Sequence, residues 1–184
     1  NWRGHSDTET LLACVEAWGI ERTLQQSVGM FAFALWDRQE RSLTLARDRA
    51  GEKPLYYGWQ GNTFLFGSEL KALQAHPAFN AAVDRGALTL LLRHNCIPAP
   101  YSIWQGIRKL PPGSWLQLGH GQRDVEPQVY WSLVDVAERG VADPFCGDEV
   151  EAVDELGRLL GGAVAGQQVA DDVAMSAFRS AGQR

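Results

Sequence analysis

The chain has 184 residues, of which 45% are hydrophobic and 21% are charged, and this composition excludes wholesale disorder. The 17 Lys and Arg residues against 22 Asp and Glu give a formal net charge of −5, and no basic stripe of the kind that binds nucleic acid is present. Three widely spaced cysteines argue against a disulfide framework and favour a reducing, cytoplasmic setting, and no apolar run is long enough for a membrane span.

The first quarter of the chain predicts a helix and then a β-hairpin. Ser6 is expected to cap a helix from about Asp7 to Trp18, and Gly19 is a plausible stop. Large and small residues alternate over Met30–Trp36 and again over Ser42–Ala46, which is the period of a strand. We expect these two strands to form a hairpin with one packed face, on which their large side chains meet across the pair.

The middle of the chain predicts a second hairpin, two helices and a strand. Leu55–Gly58 and Thr63–Phe66 flank a Gly-containing turn, as the strands of a hairpin do. A short helix is expected over Glu69–Ala75, and Asp84 is placed to cap another helix. The double proline before Gly113 predicts a turn that leads into the strand Ser114–Leu118.

The last part of the chain differs from the rest in its pattern of apolar and polar residues. The composition changes from Glu126 onward, and Val134–Gly147 is mixed and irregular, as segments that join domains often are. Asp148 then opens a helix in which apolar residues recur at helical spacing as far as Val164. We therefore expect a strand-rich α+β body, a linker, and the start of a second unit.

Two polar features of the first half have both a structural and a functional interpretation. Asp7 can be a first-turn carboxylate that favours the helix dipole, or an anion that holds a substrate ammonium group. The charged segment Arg47–Pro54 lies between two strands and contains a Gly and a Pro, which favours a structural turn with a partly buried charge network.

Other candidate residues have less support from the sequence. The stretch Val173–Phe178 is followed by Ser180 and Gly182, and a small-residue loop after a strand can hold phosphate with backbone N–H groups. The histidines show no metal-site spacing and are expected in surface or turn roles: His5, His76, His94 and His120.

Taken in order, many segments of the chain resemble the glutaminase domain of asparagine synthetases. The segments that carry the resemblance are Gly4–Glu9, Glu16–Gly19, Gly29–Asp37, Ala46–Tyr57, Gly67–Leu73, Ile97–Pro100, Gly106–Gly113 and Tyr130–Trp131. They cover nearly the whole chain and keep the family's order. The chain also begins without an initiator Met, and we expect it to be an internal fragment of a class II glutamine amidotransferase.

The resemblance implies an N-terminal-nucleophile fold, a four-layer sandwich of two antiparallel sheets between helices, here partial. The family's nucleophile is an N-terminal cysteine that attacks the glutamine amide, and it is expected upstream of Asn1. Cys14, Cys96 and Cys146 do not resemble it, so no catalytic residue is assigned within the chain. Asp7 resembles the aspartate that pairs with the glutamine α-ammonium, and it is the one glutamine-binding residue that carries over.

The resemblance also implies that an α/β synthetase domain of the ATP-pyrophosphatase type follows. That domain uses ATP and magnesium to adenylate aspartate, and its pyrophosphate loop resembles the segment with Phe178, Ser180 and Gly182, which are our candidate ATP-binding residues. Ala181 and Arg184 depart from the loop pattern, which makes it degenerate. No metal ligand is assigned within the chain, and no cofactor is expected to be bound to it.

The expected domain organisation is the C-terminal part of a glutaminase domain over 1–125, a linker over 126–147, and the start of an asparagine synthetase domain over 148–184. The parent would hydrolyse glutamine and pass ammonia to an aspartyl adenylate, while the chain alone would be inactive. Two alternatives stay open: an amidotransferase with another acceptor acid, as in β-lactam formation or sugar modification, and a truncated non-catalytic paralogue used for binding or dimerisation. The expected partners are glutamine, aspartate and ATP, without nucleic acid or membrane, and the resemblance leaves a homodimer open.

Overall fold

A computed structural model describes residues 6–168 and shows an α+β chain with two antiparallel sheets. The helices are α1 (Asp7–Trp18), α2 (Ile20–Gln26), α3 (Leu70–Gln74), α4 (Arg85–His94), α5 (Leu133–Ala142) and α6 (Glu149–Gln168). The strands are β1 (Ala32–Asp37), β2 (Ser42–Arg47), β3 (Tyr56–Gln60), β4 (Thr63–Gly67), β5 (Ile107–Lys109), β6 (Ser114–Leu118) and β7 (Gln128–Val129). None of the helices in the described range has both the length and the apolar character needed to cross a bilayer.

The described residues group into two compact units. One unit is Met30–Ser132, and it contains both sheets together with α3 and α4. The other consists of residues 6–29 and 133–168, and it contains α1, α2, α5 and α6.

The two sheets of the Met30–Ser132 unit are built from the predicted hairpins and from later strands. The first sheet has the order β1-β2-β6-β7, and the second has the order β4-β3-β5. Both hairpins are confirmed, with Asp37 opposite Ser42 in the first and Gln60 opposite Thr63 in the second. The turn of the second hairpin uses Gly61 at φ 60°, a conformation that glycine adopts without steric cost.

The register of the first hairpin contradicts one prediction. Phe33 lies opposite Ala46 and Ala34 lies opposite Leu45, so a large residue faces a small one along most of the pair, and Trp36 opposite Leu43 is the exception. The buried face is the one with Leu45, to which β1 contributes the small residue Ala32. Because residues directly opposite each other share a face, this pairing moves Phe33 away from the core between the sheets.

The main core lies between the two sheets. It is formed by Leu45 and Leu116 of the first sheet and Tyr57 of the second. Leu55, directly before β3, and Leu110, directly after β5, complete it. Burial of each such side chain stabilises the fold by about 1.5–3 kcal/mol.

A smaller cluster lies on the other face of the second sheet. There Leu65 and Ile107 pack with Leu73 of α3. The second sheet therefore has apolar partners on both faces, the first sheet on one side and α3 on the other.

Three helices begin at side chains that cap them, and the sequence predicts this for the first two. Ser6 accepts from the Thr8 N–H at 3.2 Å at the start of α1. Asp84 caps α4 by accepting from the backbone N–H groups of residues 86 and 87. Asp148 accepts from the Glu151 N–H at 2.9 Å, while Glu151 accepts from the Asp148 N–H at 3.1 Å, which is a reciprocal capping box before α6.

The segment predicted as irregular contains regular structure, which corrects the prediction. Most of Val134–Gly147 belongs to α5, which spans Leu133–Ala142. The short strand β7, which pairs with β6, lies just before this segment. The valines and Gly140 of α5 lower its helix propensity, and this hides a helix whose other residues include good helix formers such as Ala137 and Glu138. The sequence also gave no prediction of α2, or of β5, which is only three residues long.

Candidate functional site

Asp7 is the first residue of α1, and its carboxylate is exposed. Its Oδ1 accepts from the Thr8 N–H at 2.7 Å and from the Thr8 hydroxyl at 3.3 Å, and the Ser6 hydroxyl lies 3.4 Å away. These are contacts between neighbours in sequence, so they fix the carboxylate at the N-terminal end of the helix.

The second oxygen of Asp7 has a different environment. Within residues 6–168, Oδ2 takes part in no hydrogen bond, although Oδ1 takes part in several. An ionised carboxylate has about four lone-pair sites, so Asp7 keeps the capacity to accept a charge-assisted bond from a ligand cation. The geometry is thus compatible with both interpretations of Asp7, as a first-turn carboxylate and as an ammonium ligand.

The charged turn that follows β2 is centred on a buried guanidinium. The Arg47 Nε donates to the Lys53 carbonyl at 2.7 Å, Nη1 donates to the Leu110 carbonyl at 2.6 Å, and Nη2 donates to the Gly51 carbonyl. Burial lowers the pKa of the Arg47 guanidinium, and the neighbouring Asp48 carboxylate opposes this change. Arg47 therefore bonds to two carbonyls within the turn and to one carbonyl in the segment that precedes β6.

The carboxylate of Asp48 is fully buried, and among residues 6–168 its donors are backbone groups. Its Oδ1 accepts from the Glu52 N–H at 2.9 Å, and its Oδ2 accepts from the Lys53 N–H at 3.0 Å. The Asp48 carbonyl also accepts from the Gly113 N–H at 2.8 Å. The structural role of the Arg47–Pro54 turn is thereby confirmed, but the predicted network of charges is not, because the partners of these two charges are backbone groups.

Tyr130 extends this network from the far end of the Met30–Ser132 unit. Its hydroxyl donates to the Arg47 carbonyl at 2.9 Å. Burial, together with the Asp48 carboxylate, raises the pKa of Tyr130 to about 12. Nothing in the local sequence around Tyr130 pointed to this contact, because its partner lies 83 residues earlier in the chain.

The cysteines and histidines of the described range show no arrangement typical of a nucleophile. Cys14 is buried in α1, and burial raises the pKa of its thiol, which disfavours the reactive thiolate. Cys96 and Cys146 are exposed. His76, His94 and His120 are exposed as well, which agrees with their predicted surface roles.

The candidate ATP-binding residues Phe178, Ser180 and Gly182 lie outside the described residues, as do Ala181, Arg184 and His5. Their predicted roles stay predictions. Across residues 6–168, no group of three or more His, Cys, Asp or Glu side chains is arranged to hold a metal ion.

Comparison with known proteins places these features in a family context. Residues 1–131 match the family described as a glutamine amidotransferase domain. A Bacillus subtilis protein named asparagine synthetase (glutamine-hydrolyzing) 3 is 34% identical over 186 residues, which cover 98% of this chain and 28% of that protein. A Methanocaldococcus jannaschii protein, which also carries an asparagine synthetase name, is 32% identical over 179 residues, covering 96% of this chain and 33% of the relative.

The similarity also reaches proteins with other names. A Gibberella zeae protein named amidase chry2 is 30% identical over 158 residues, which cover 85% of this chain and 22% of that protein. The chain thus spans about a third or less of the length of the curated relatives compared here.

Proposed function

Because the chain belongs to the glutamine amidotransferase domain family, we propose that it forms part of an enzyme that hydrolyses glutamine and delivers the ammonia to an acceptor acid. The match over residues 1–131 carries this proposal. The names of the relatives favour aspartate as the acceptor, with asparagine as the product.

The proposed role of Asp7 is to bind the α-ammonium group of glutamine. Its exposed carboxylate is fixed through Oδ1 by Ser6 and Thr8, and Oδ2 is available to accept from a ligand. A fixed carboxylate loses little conformational freedom when a cation binds, which favours specific recognition.

In the proposed parent protein, the glutaminase domain is a four-layer sandwich. A cysteine that precedes Asn1 is its nucleophile and attacks the glutamine amide. A synthetase domain that begins with α6 then uses ATP and magnesium. Bound ATP would supply activation of the acceptor carboxylate as an adenylate. Phe178, Ser180 and Gly182 are the residues proposed to hold its phosphates, and the cytoplasm is the proposed location.

The main alternative is an acceptor acid other than aspartate. The similarity to a protein named an amidase supports it, because related sequences in this comparison do not all carry an asparagine synthetase name. Glutamine hydrolysis and the role of Asp7 are the same under both proposals, and the product made from the acceptor distinguishes them.

The role of Asp7 is tested by Asp7→Asn in a form of the protein that hydrolyses glutamine. The substitution keeps the size of the side chain and removes a charge-assisted bond of about 1.5–3 kcal/mol. Because this bond holds the substrate in the ground state and transition state alike, KM for glutamine should rise about tenfold or more while kcat changes less. Synthesis from free ammonia, which needs no glutamine site, should continue unchanged.

Glu16→Gln is the matched control, since it removes an exposed carboxylate from the same helix. It should leave both activities unchanged. If Asp7 is only a first-turn residue, Asp7→Asn will instead lower stability slightly and reduce both activities equally. A glutamine KM within error of the unsubstituted protein would rule out the proposed role.

We also propose that residues 1–184 alone release no glutamate from glutamine. The thiol of Cys14 is buried, and neither Cys96 nor Cys146 resembles the family's nucleophile. Cysteine-dependent glutamate release by the purified chain would contradict this.

A further inference from the structure

A cleft of about 260 Å³ lies in the Met30–Ser132 unit, between the second sheet and β6. The segment 123–126 forms one side of it. Its volume is below the range typical of sites for drug-sized ligands, roughly 300–1,000 Å³, so it suits a smaller molecule.

The inner surface of the cleft is apolar. Leu116 of β6 and Tyr57 of β3 are buried, and Phe64 and Val125 are partly buried beside them. A ligand that enters the cleft therefore places an apolar group against the edge of the core and gains stability by removing that group from water.

One wall of the cleft is held in a fixed arrangement. The guanidinium of Arg123 lies 5.0 Å from the centre of the Trp59 ring and donates to the Asn62 side-chain oxygen at 2.5 Å. The Trp59 indole donates back to the Arg123 carbonyl at 3.1 Å, and the Phe64 ring packs 5.2 Å from the Trp59 ring. With Arg123 on the indole and Phe64 beside it, Trp59 is a poor stacking platform for a flat nucleobase.

The opposite charges at the mouth of the cleft are loosely paired. Arg108 and Glu126 are 3.6 Å apart, and their side chains are 58% and 85% exposed. An exposed pair of this kind contributes about 0–1 kcal/mol, so it separates easily. Both groups act on the Tyr57 hydroxyl: burial raises the pKa of Tyr57, Arg108 opposes this change, and Glu126 adds to it.

We propose that this cleft binds a free α-amino acid with an apolar side chain. Two cations, Arg108 and Arg123, and two anions, Asp124 and Glu126, line it, so the site has no net charge and favours neither a simple anion nor a simple cation. A zwitterion replaces the loose pair: its carboxylate binds Arg108, its ammonium binds Glu126, and its side chain covers the apolar surface.

The test is equilibrium dialysis of radiolabelled L-leucine against the 184-residue chain, a method that does not require a monomeric protein. N-acetyl-L-leucine lacks the ammonium and L-leucinamide lacks the carboxylate, and each should compete about tenfold less well than leucine. Arg108→Gln and Glu126→Gln should each weaken leucine binding by a similar factor. Both side chains are largely exposed, so neither change should impair folding.

Arg93→Gln is the matched control, because it removes an exposed cation outside the cleft. It should leave leucine binding unchanged. The proposal is overturned if leucine and phenylalanine do not bind at millimolar concentration, if the two single-charge analogues compete as well as leucine, or if Arg108→Gln has no effect. None of these outcomes bears on glutamine hydrolysis or on Asp7.

Discussion

At the scale of single residues, the turn after β2 shows how backbone groups stabilise buried charge. Arg47 donates to three backbone carbonyls, and Asp48 accepts from two backbone N–H groups. Hydrogen bonds to ionised groups contribute roughly 1.5–3 kcal/mol each, and a buried charge left unpaired is costly. The two side chains therefore hold the backbone of residues 51–53 in place through hydrogen bonds.

Asp48→Asn should destabilise the chain by roughly 1.5–3 kcal/mol. Both oxygens of Asp48 accept backbone N–H groups, so an amide NH₂ would face a donor whichever way the side chain turns. Urea unfolding at low protein concentration measures the effect. Asp37→Asn is the control: Asp37 is exposed and uses Oδ1 alone for Gln39 and Glu40, which an amide oxygen can replace. Its effect should stay within about 0.5 kcal/mol, and equal losses for both variants would contradict the argument.

Tyr130→Phe should reduce the loss of stability at alkaline pH. The pKa of Tyr130 is about 12 in the folded chain and about 10 when unfolded, so between these values the unfolded state binds fewer protons and stability falls as pH rises. Tyr57 contributes in the same direction, whereas the lowered pKa of Lys109 acts in the opposite direction, and both remain in the variant. Chemical unfolding between about pH 9 and pH 11 should give a shallower slope for Tyr130→Phe. Equal slopes of stability against pH in the variant and the unsubstituted chain would show that folding does not raise the pKa of Tyr130.

The sequence pointed to this turn but could not identify its partners. Arg47–Pro54 stood out because several charges surround a Gly and a Pro between strands. The contacts that give it a role join Arg47 to Leu110 and to Tyr130, 63 and 83 residues away along the chain. Local patterns carry information about the next few residues only, and contacts at this separation depend on how the sheets pair.

At the scale of elements, caps were predicted well and register was not. Ser6, Asp84 and Asp148 cap helices because their side chains bond N–H groups two or three residues later, a relation visible in the sequence. The alternation of β1 predicted a strand but not which set of side chains faces the core. Pairing with β6 decides this, since Leu45 lies opposite Leu116 and both are buried.

Gly157→Ala should stabilise α6. Gly157 lies in the helix interior, and a Cβ there would meet no atom within 4 Å, so the change costs no space and removes a penalty of about 0.5–1 kcal/mol. Amide hydrogen exchange over residues 150–165 should slow by about two- to fivefold. Gly113→Ala is the contrast, because Gly113 has φ +62° and a Cβ there would collide with the Trp131 carbonyl. An unchanged exchange rate in Gly157→Ala would indicate that the helix propensity of this residue does not determine the stability of α6.

At the scale of the whole molecule, apolar surface is exposed on several elements. Trp36 of β1 is 54% exposed and Leu92 of α4 is 81% exposed, while Val150 and Leu160 of α6 are also more than half exposed. Within residues 6–168, β1 pairs with β2 alone, so its other edge presents unpaired N–H and C=O groups. Large apolar patches and open strand edges are typical of surfaces that bind other protein segments.

The 184-residue chain should therefore self-associate in solution, and Ala34→Lys should reduce the association. Ala34 is exposed in the middle of β1, and a lysine there places a charge beside the open edge of the strand, which opposes pairing with another chain. Sedimentation velocity should show an average sedimentation coefficient that rises with concentration, and rises less in the variant. Gln39→Lys adds the same charge in the exposed turn after β1 and should leave association unchanged. A sharp monomer peak at every concentration would mean that the open edge and apolar surfaces are protected within the chain itself.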